Sequence, residues 1–224
     1  MNIFDIMGPI MVGPSSSHTA GAARIGYVSR QLLGEDLKKA EILLHGSFAK
    51  TGKGHGTDKA IVAGLMGMMP DDERIPDSFD IAKSQGIELS VGEALLKTEY
   101  ANACLLNLES VNGRSLSIMA ASLGGGRISI EQIDGIDTHF SGDYPTLIVH
   151  NLDQPGHVAE VTSTLAHKSV NIATLNLYRD KRGGYAVMII ETDQDIPETA
   201  IKWIEHLEGV IKVTYINIEK QKEA

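Results

Sequence analysis

The sequence predicts an α/β protein of two domains, a mixed α/β domain followed by a βαββαβ unit. Three observations predict it. Apolar runs of strand length alternate with stretches whose apolar residues recur at helical spacing. Composition changes at Ser141-Gly142-Asp143-Tyr144-Pro145, dividing the chain into residues 1–143 and 144–224. With 224 residues, 42% of them hydrophobic, each part has apolar material for a core.

The first domain opens on Gly13-Pro14-Ser15-Ser16-Ser17-His18-Thr19. Pro14 fixes its own φ and the serines offer N-cap oxygens. A helix follows from about Thr19 to Leu33, with Ile25, Val28 and Leu32 on one side. Ile42-Leu43-Leu44 reads as a strand. Gly52-Lys53-Gly54-His55-Gly56-Thr57-Asp58 reads as a second polar loop. Thr57 or Asp58 then caps a helix striped with Ile61, Leu65 and Met68. Ser78 caps a short helix through Phe79, Ile81, Ala82 and Lys83. Residues 102–134 are strand-like, with Asn112-Gly113 marking a hairpin. A loop of Val111, Asn112 and Gly113 pairs Leu108 with Leu116, Leu106 with Ile118 and Cys104 with Ala120. That register keeps one apolar face, and a left-handed Gly113 suits such a loop. It also makes Cys104 a small core residue rather than a reactive thiol. Gly124-Gly125-Gly126 reads as a turn, or as a place where backbone meets ligand.

The second domain begins with a strand, Thr146 to Asn151. Asp153-Gln154-Pro155-Gly156 turns into a helix with Val158, Val161, Thr162 and Leu165 on one face. Val170 to Tyr178 is a strand, Lys181-Arg182-Gly183-Gly184 a turn, and Tyr185 to Glu191 a strand. Pro197 opens a helix whose inner stripe is Ala200, Ile201, Ile204 and Leu207. Val210 to Ile218 closes with a strand. This order is that of a ferredoxin-like unit. Trp203 reads as packing.

Composition excludes several classes. The net charge is −9 and no basic cluster occurs, which argues against nucleic acid or an anionic membrane surface as partner. No apolar run is long enough to span a bilayer. The start, Met1-Asn2-Ile3-Phe4-Asp5, lacks the pattern of a signal peptide, so the cytoplasm is the expected compartment. A single cysteine, Cys104, cannot form an internal disulfide or supply a four-cysteine cluster. None of the 8 histidines forms the HExxH pattern of a zinc hydrolase.

The chemistry gathers in the two polar segments. A helix opening on serines points N–H groups and hydroxyls at one spot, which suits a small anion. Ser15, Ser16, Ser17 and Thr19 are candidates to bind a substrate there. His18 and His55 are candidates for proton transfer near neutral pH, or for positioning the substrate. Lys53 can bind a carboxylate or act as a base, or can be a solvated loop lysine. The segment lacks the phosphate-loop spacing, since no Ser or Thr follows Lys53 after a GxxxxG run. Thr57 is a further binding candidate. Asp58 caps the helix or orients His55 rather than reacting.

The whole chain then resembles a known family. Gly13-Pro14-Ser15-Ser16-Ser17-His18-Thr19, Ala22-Ala23-Arg24-Ile25-Gly26 and Gly54-His55-Gly56-Thr57-Asp58 resemble the β subunit of bacterial iron–sulfur L-serine dehydratase. Asn151-Leu152-Asp153-Gln154-Pro155-Gly156-His157-Val158 and Val170-Asn171-Ile172-Ala173 resemble an ACT domain, a module that senses amino acids. A cousin of the first domain occurs in some 3-phosphoglycerate dehydrogenases as an anion-binding regulatory domain. The resemblance implies a lyase subunit, inactive alone, that converts L-serine to pyruvate and ammonia with a partner α chain. That α chain is expected to carry the [4Fe-4S] cluster, with no metal ligand on this chain. It implies effector binding at Asn151, Asp153, Gly156 and Asn171 across a self-associated ACT pair, or an ACT unit that only dimerises. A non-catalytic amino-acid-sensing subunit is the competing reading. A stand-alone lyase without metal is a third, and no pyridoxal phosphate lysine motif supports it.

Overall fold

In the computed structural model, residues 10–218 are described, apart from the Lys53 side chain. Contacts divide the chain into two units, one through Ser141 and one from Gly142.

The first unit has a sheet of strand order β2-β1-β3-β4-β5-β6 with helices packed against it. The helical path starts earlier than the sequence suggested. Ser16–Gly21 form a π-helical turn that runs directly into α1 (Ala22–Leu33). Ser15 is its N-cap, extended at φ −141°, and its hydroxyl accepts the His18 amide. Strand β1 (Leu37–His45) is followed at once by α2 (Gly46–His55) and α3 (Thr57–Leu65). The expected second loop is thus largely a helix. Its glycines carry weak helix propensity, but tertiary packing overrides that. Phe48 is wholly buried, and Gly52 lies close to Thr57 and Leu44. Neither Thr57 nor Asp58 caps α3; left-handed Gly56 holds the N-cap position.

Helix α4 (Ser78–Ser84) takes Asp77 as its N-cap, and the Ser78 hydroxyl donates instead to the Lys59 carbonyl at 2.8 Å. Strand β2 (Glu88–Glu93) pairs parallel to β1 at the sheet edge. Strands β3 (Asn102–Ser110) and β4 (Ser115–Gly124) form the expected hairpin. Leu108 faces Leu116, Leu106 faces Ile118 and Cys104 faces Ala120, with Gly113 left-handed at φ 83°. Strands β5 (Arg127–Ile133) and β6 (Ile136–Phe140) complete the sheet. They join through Asp134-Gly135, both with positive φ, the two-residue hairpin turn that the sequence reading left unused. Ile25 and Leu33 of α1, Ile61 and Leu65 of α3, and Ile42, Leu106, Ile118 and Ile130 of the sheet are all essentially inaccessible. Each such side chain contributes about 1.5–3 kcal/mol on burial.

The second unit runs β7 (Thr146–Leu152), α5 (His157–His167), β8 (Ile172–Arg179), β9 (Tyr185–Thr192), α6 (Glu198–Glu205) and β10 (Val210–Ile216). The sheet order is β10-β7-β9-β8 with antiparallel neighbours, the ferredoxin-like arrangement. Val161 and Leu165 of α5 and Ala200 and Ile204 of α6 close on Leu147, Val149, Met188 and Ile190. Pro197 is the N-cap of α6. Trp203 is not packing: it is 65% exposed. Among the described residues no helix is long and apolar enough to cross a membrane.

Candidate active site

Helix α2 gives the site its geometry. Ser47, Thr51 and His55 recur every fourth residue, so they share one face. That face meets the π-helical turn carrying His18. The His18 Nε2 lies 3.2 Å from the Ser47 Oγ and 3.0 Å from the Thr51 Oγ1. Its Nδ1 lies 3.4 Å from the Ser15 Oγ. Its ring packs edge-on to Phe48, with centroids 5.3 Å apart, and tilted over His55, with centroids 5.1 Å apart. The two predicted histidines therefore stand together.

Proton bookkeeping separates their roles. The Thr51 hydroxyl donates to the Ser47 carbonyl at 2.9 Å, so its proton is committed. Its oxygen also faces His18 Nε2, where the direction of the bond follows the tautomer of the ring. Both nitrogens of His18 are engaged. His55 differs. Its Nδ1 donates to the Thr51 carbonyl at 3.1 Å, which leaves a lone pair on Nε2 of an exposed ring. Burial holds His18 below the ordinary 6.5, the neighbouring His55 adds to this, and a hydrogen bond with the Ser47 backbone opposes it.

The serines line the same end. The amides of Ser16 and Ser17 are ones that a helix start cannot satisfy within itself. The Ser16 hydroxyl accepts the Gly125 N–H at 3.3 Å, and a Cβ on Gly124 would lie 3.5 Å from the Ser17 Oγ. The three-glycine turn between β4 and β5 therefore borders the serines, a neighbour that only the long-range pairing reveals. Thr19 is buried, with its hydroxyl 3.5 Å from the His55 carbonyl, and Thr57 is fully buried. Both hold the walls of the site rather than its open face. Asp58 does not orient His55: its carboxylate accepts the amide of Lys59. Lys53 lies on α2, with its side chain outside the described atoms. Ser47 and Thr51 escaped the sequence reading. Their spacing to His55 was visible, but only to a reader who took residues 46–55 as a helix.

Cys104 lies in the core of β3, and burial pushes its thiol up to about 12. It offers no thiolate. Among the described residues no three His, Cys, Asp or Glu gather to hold a metal. The donors among the described residues do not fit an iron–sulfur cluster.

The predicted effector residues separate. Asn151, 2% exposed, ends β7 beside Asp153 and Gly156. Asp153 accepts the Gly183 amide at 2.9 Å and Arg179 at 3.0 Å, and these hold its carboxyl below the usual range. Asn151 pairs across the sheet with Ala186, which in turn pairs with Arg179 at the far end of β8. Asn171 precedes the start of β8 and bonds Asp193 and Gln194. At ~3.3 Å per residue it stands roughly 25 Å from Asn151. His157, which the sequence reading passed over, opens α5 with both ring nitrogens buried and without hydrogen-bond partners among the described residues. The Asn151 Oδ1 is equally unmatched.

Comparisons with known proteins follow this division. Residues 2–91 match the family described as Serine dehydratase beta chain, and residues 145–208 match the ACT domain. The chain is 39% identical over 215 residues to the "Probable L-serine dehydratase, beta chain" of Bacillus subtilis, covering 96% of this chain and 97% of that one. It is 37% identical over 216 residues to the "L-serine dehydratase, beta chain" of Peptoniphilus asaccharolyticus, with the same coverage of 96% and 97%. A "D-3-phosphoglycerate dehydrogenase" of Methanocaldococcus jannaschii is 26% identical over 198 residues, which span 88% of this chain but 37% of that protein.

Proposed function

Because this chain belongs to the serine dehydratase beta chain family, we propose that it supplies the proton-transfer half of an L-serine ammonia-lyase site. The chain is a serine dehydratase subunit. Its partner is an α chain, and that chain is where we place the [4Fe-4S] cluster, since the donors here do not fit one. The cytoplasm is the proposed compartment.

The observation that carries the reading is the pairing of two imidazoles, with centroids 5.1 Å apart, both tethered to Thr51 of α2. L-Serine loses a proton from Cα and hydroxide from Cβ, giving aminoacrylate, which hydrolyses to pyruvate and ammonia. His55 Nε2 carries the lone pair that takes the Cα proton. His18, held at both nitrogens, fixes the wall behind it. The substrate carboxylate is drawn to the Ser16 and Ser17 amides and the Ser17 hydroxyl, a start of helix that favours an anion. Lys53 and Asp58 are further candidates for substrate contact.

Turnover of L-serine to pyruvate, measured anaerobically with this chain alone and with a cluster-loaded α chain, tests the reading. Activity in the mixture alone, abolished by His55→Ala with assembly intact, supports it. Near-normal activity of both His18→Ala and His55→Ala overturns it.

A second role rests on the buried Asn151 Oδ1 and His157 Nε2, which have no hydrogen-bond partner among the described residues; the His157 Nδ1 has the Glu160 carboxylate 3.9 Å away. They support an amino-acid effector site at the turn from β7 to α5, with Asp153 and Gly156. Asn171 joins it only from a second copy of the chain.

A further inference from the structure

We infer that Thr51 is the positioning residue that assigns the two histidines their different protonation states. The inference rests on the proposed proton-transfer role of His18 and His55. Thr51 touches both rings through two different atoms. Its hydroxyl lies 3.0 Å from His18 Nε2, and its carbonyl accepts His55 Nδ1 at 3.1 Å. The hydroxyl proton goes to the Ser47 carbonyl, four residues back on α2. That back-bond is common for threonine in helices, and here it has a chemical consequence. A hydroxyl whose proton is spent can only accept, so the ring facing it carries hydrogen on Nε2. A carbonyl can only accept, so the ring facing it carries hydrogen on Nδ1.

One residue thereby gives neighbouring imidazoles, with centroids 5.1 Å apart, opposite tautomers. His18 turns an N–H toward α2, and His55 leaves its Nε2 lone pair outward. Without the Thr51 hydroxyl, His18 is freed to present either nitrogen to Ser47 and Ser15, and it ceases to be a fixed backing for His55. The His55 tether is unaffected, because it uses the main chain. The two tethers can therefore be separated by mutation.

The experiment is long-range proton–nitrogen correlation of the histidine rings in the full chain, paired with steady-state turnover of the chain assembled with its α partner. Thr51→Val removes the hydroxyl at nearly constant shape, and Thr51→Ser retains it. In the unmodified chain His18 should read as protonated on Nε2 and His55 on Nδ1. Thr51→Val should shift the His18 signals toward a mixture, leave those of His55 in place, and lower kcat about tenfold, the size of one hydrogen bond, with KM nearly constant. Thr51→Ser should restore both. Unchanged His18 signals in Thr51→Val overturn the inference. Shifted signals with unchanged kcat overturn its link to turnover. Full activity of the histidine variants would instead overturn the site reading, while the ring signals still judge Thr51 itself.

Discussion

Gly26 and Gly64 meet backbone to backbone where α1 crosses α3. A Cβ on Gly64 would lie 2.0 Å from the Ala23 carbonyl oxygen, and one on Gly26 would lie 2.1 Å from that of Ile61. The π-helical turn with His18 leads into α1, and α2 with His55 leads into α3. The crossing therefore sets the distance between the two histidine-bearing segments.

Gly64→Ala should cost about 1–3 kcal/mol of stability, because the Ala23 carbonyl and the Tyr27 amide that its Cβ would meet cannot move aside without parting the helices. Urea unfolding measures it. An unchanged midpoint would mean that α1 and α3 separate freely, and that their contact does not fix the site.

His55→Asn keeps an amide N–H near the position of Nδ1, so it can still bond the Thr51 carbonyl, but it has no Nε2. Turnover of the assembled enzyme should fall by ~10²–10⁴ in kcat, with KM changing far less. Substantial activity in this variant would show that the tether matters and the outward lone pair does not.

His18 should make the fold acid-sensitive. Its pKa is lowered by burial, so above the ordinary 6.5 both folded and unfolded forms are neutral and the ring adds no pH dependence. As pH falls below that value the unfolded chain takes up the proton first, and stability declines. His18→Gln, which stays neutral, should flatten the fall in urea midpoint between about pH 7 and pH 5 relative to the unmodified chain. Equal slopes would remove His18 as the source.

Asn151→Ala and Asn171→Ala should each weaken L-serine binding to the second unit while its unfolding midpoint stays nearly constant for the exposed Asn171. Calorimetric titration of the full chain reads this. Binding unaltered in both variants would leave the unit a purely structural one.

The legibility of the chain was uneven for physical reasons. The β3–β4 register was readable because alternation fixes which face is buried, and a one-residue slip would put Leu108 against Ser117. The order β7 to β10 was readable because each segment carries its own period and its own turn. Helix α2 was not. Glycines at 52, 54 and 56 look like a loop locally, and only the burial of Phe48 and the contact with His18 make it a helix. With α2 hidden, the alignment of Ser47 and Thr51 beneath His18 was hidden too. Strand β2 escaped because its pairing with β1 is parallel and lies on the sheet edge, where its residues are mostly exposed. His18 and His55 stood out by residue type, but their shared tether is a long-range fact.

The seclusion of Cys104 has a practical side. It is the chain's only cysteine, wholly enclosed between strands, and its thiol ionises only near 12. Maleimides, iodoacetamide and mild oxidants need a thiolate they can reach, so the folded subunit is blind to them. In an assembled enzyme, thiol labelling under such reagents reports on the cysteines of the other chain. The subunit can thus serve as an unmarked background against which each thiol of its partner is counted.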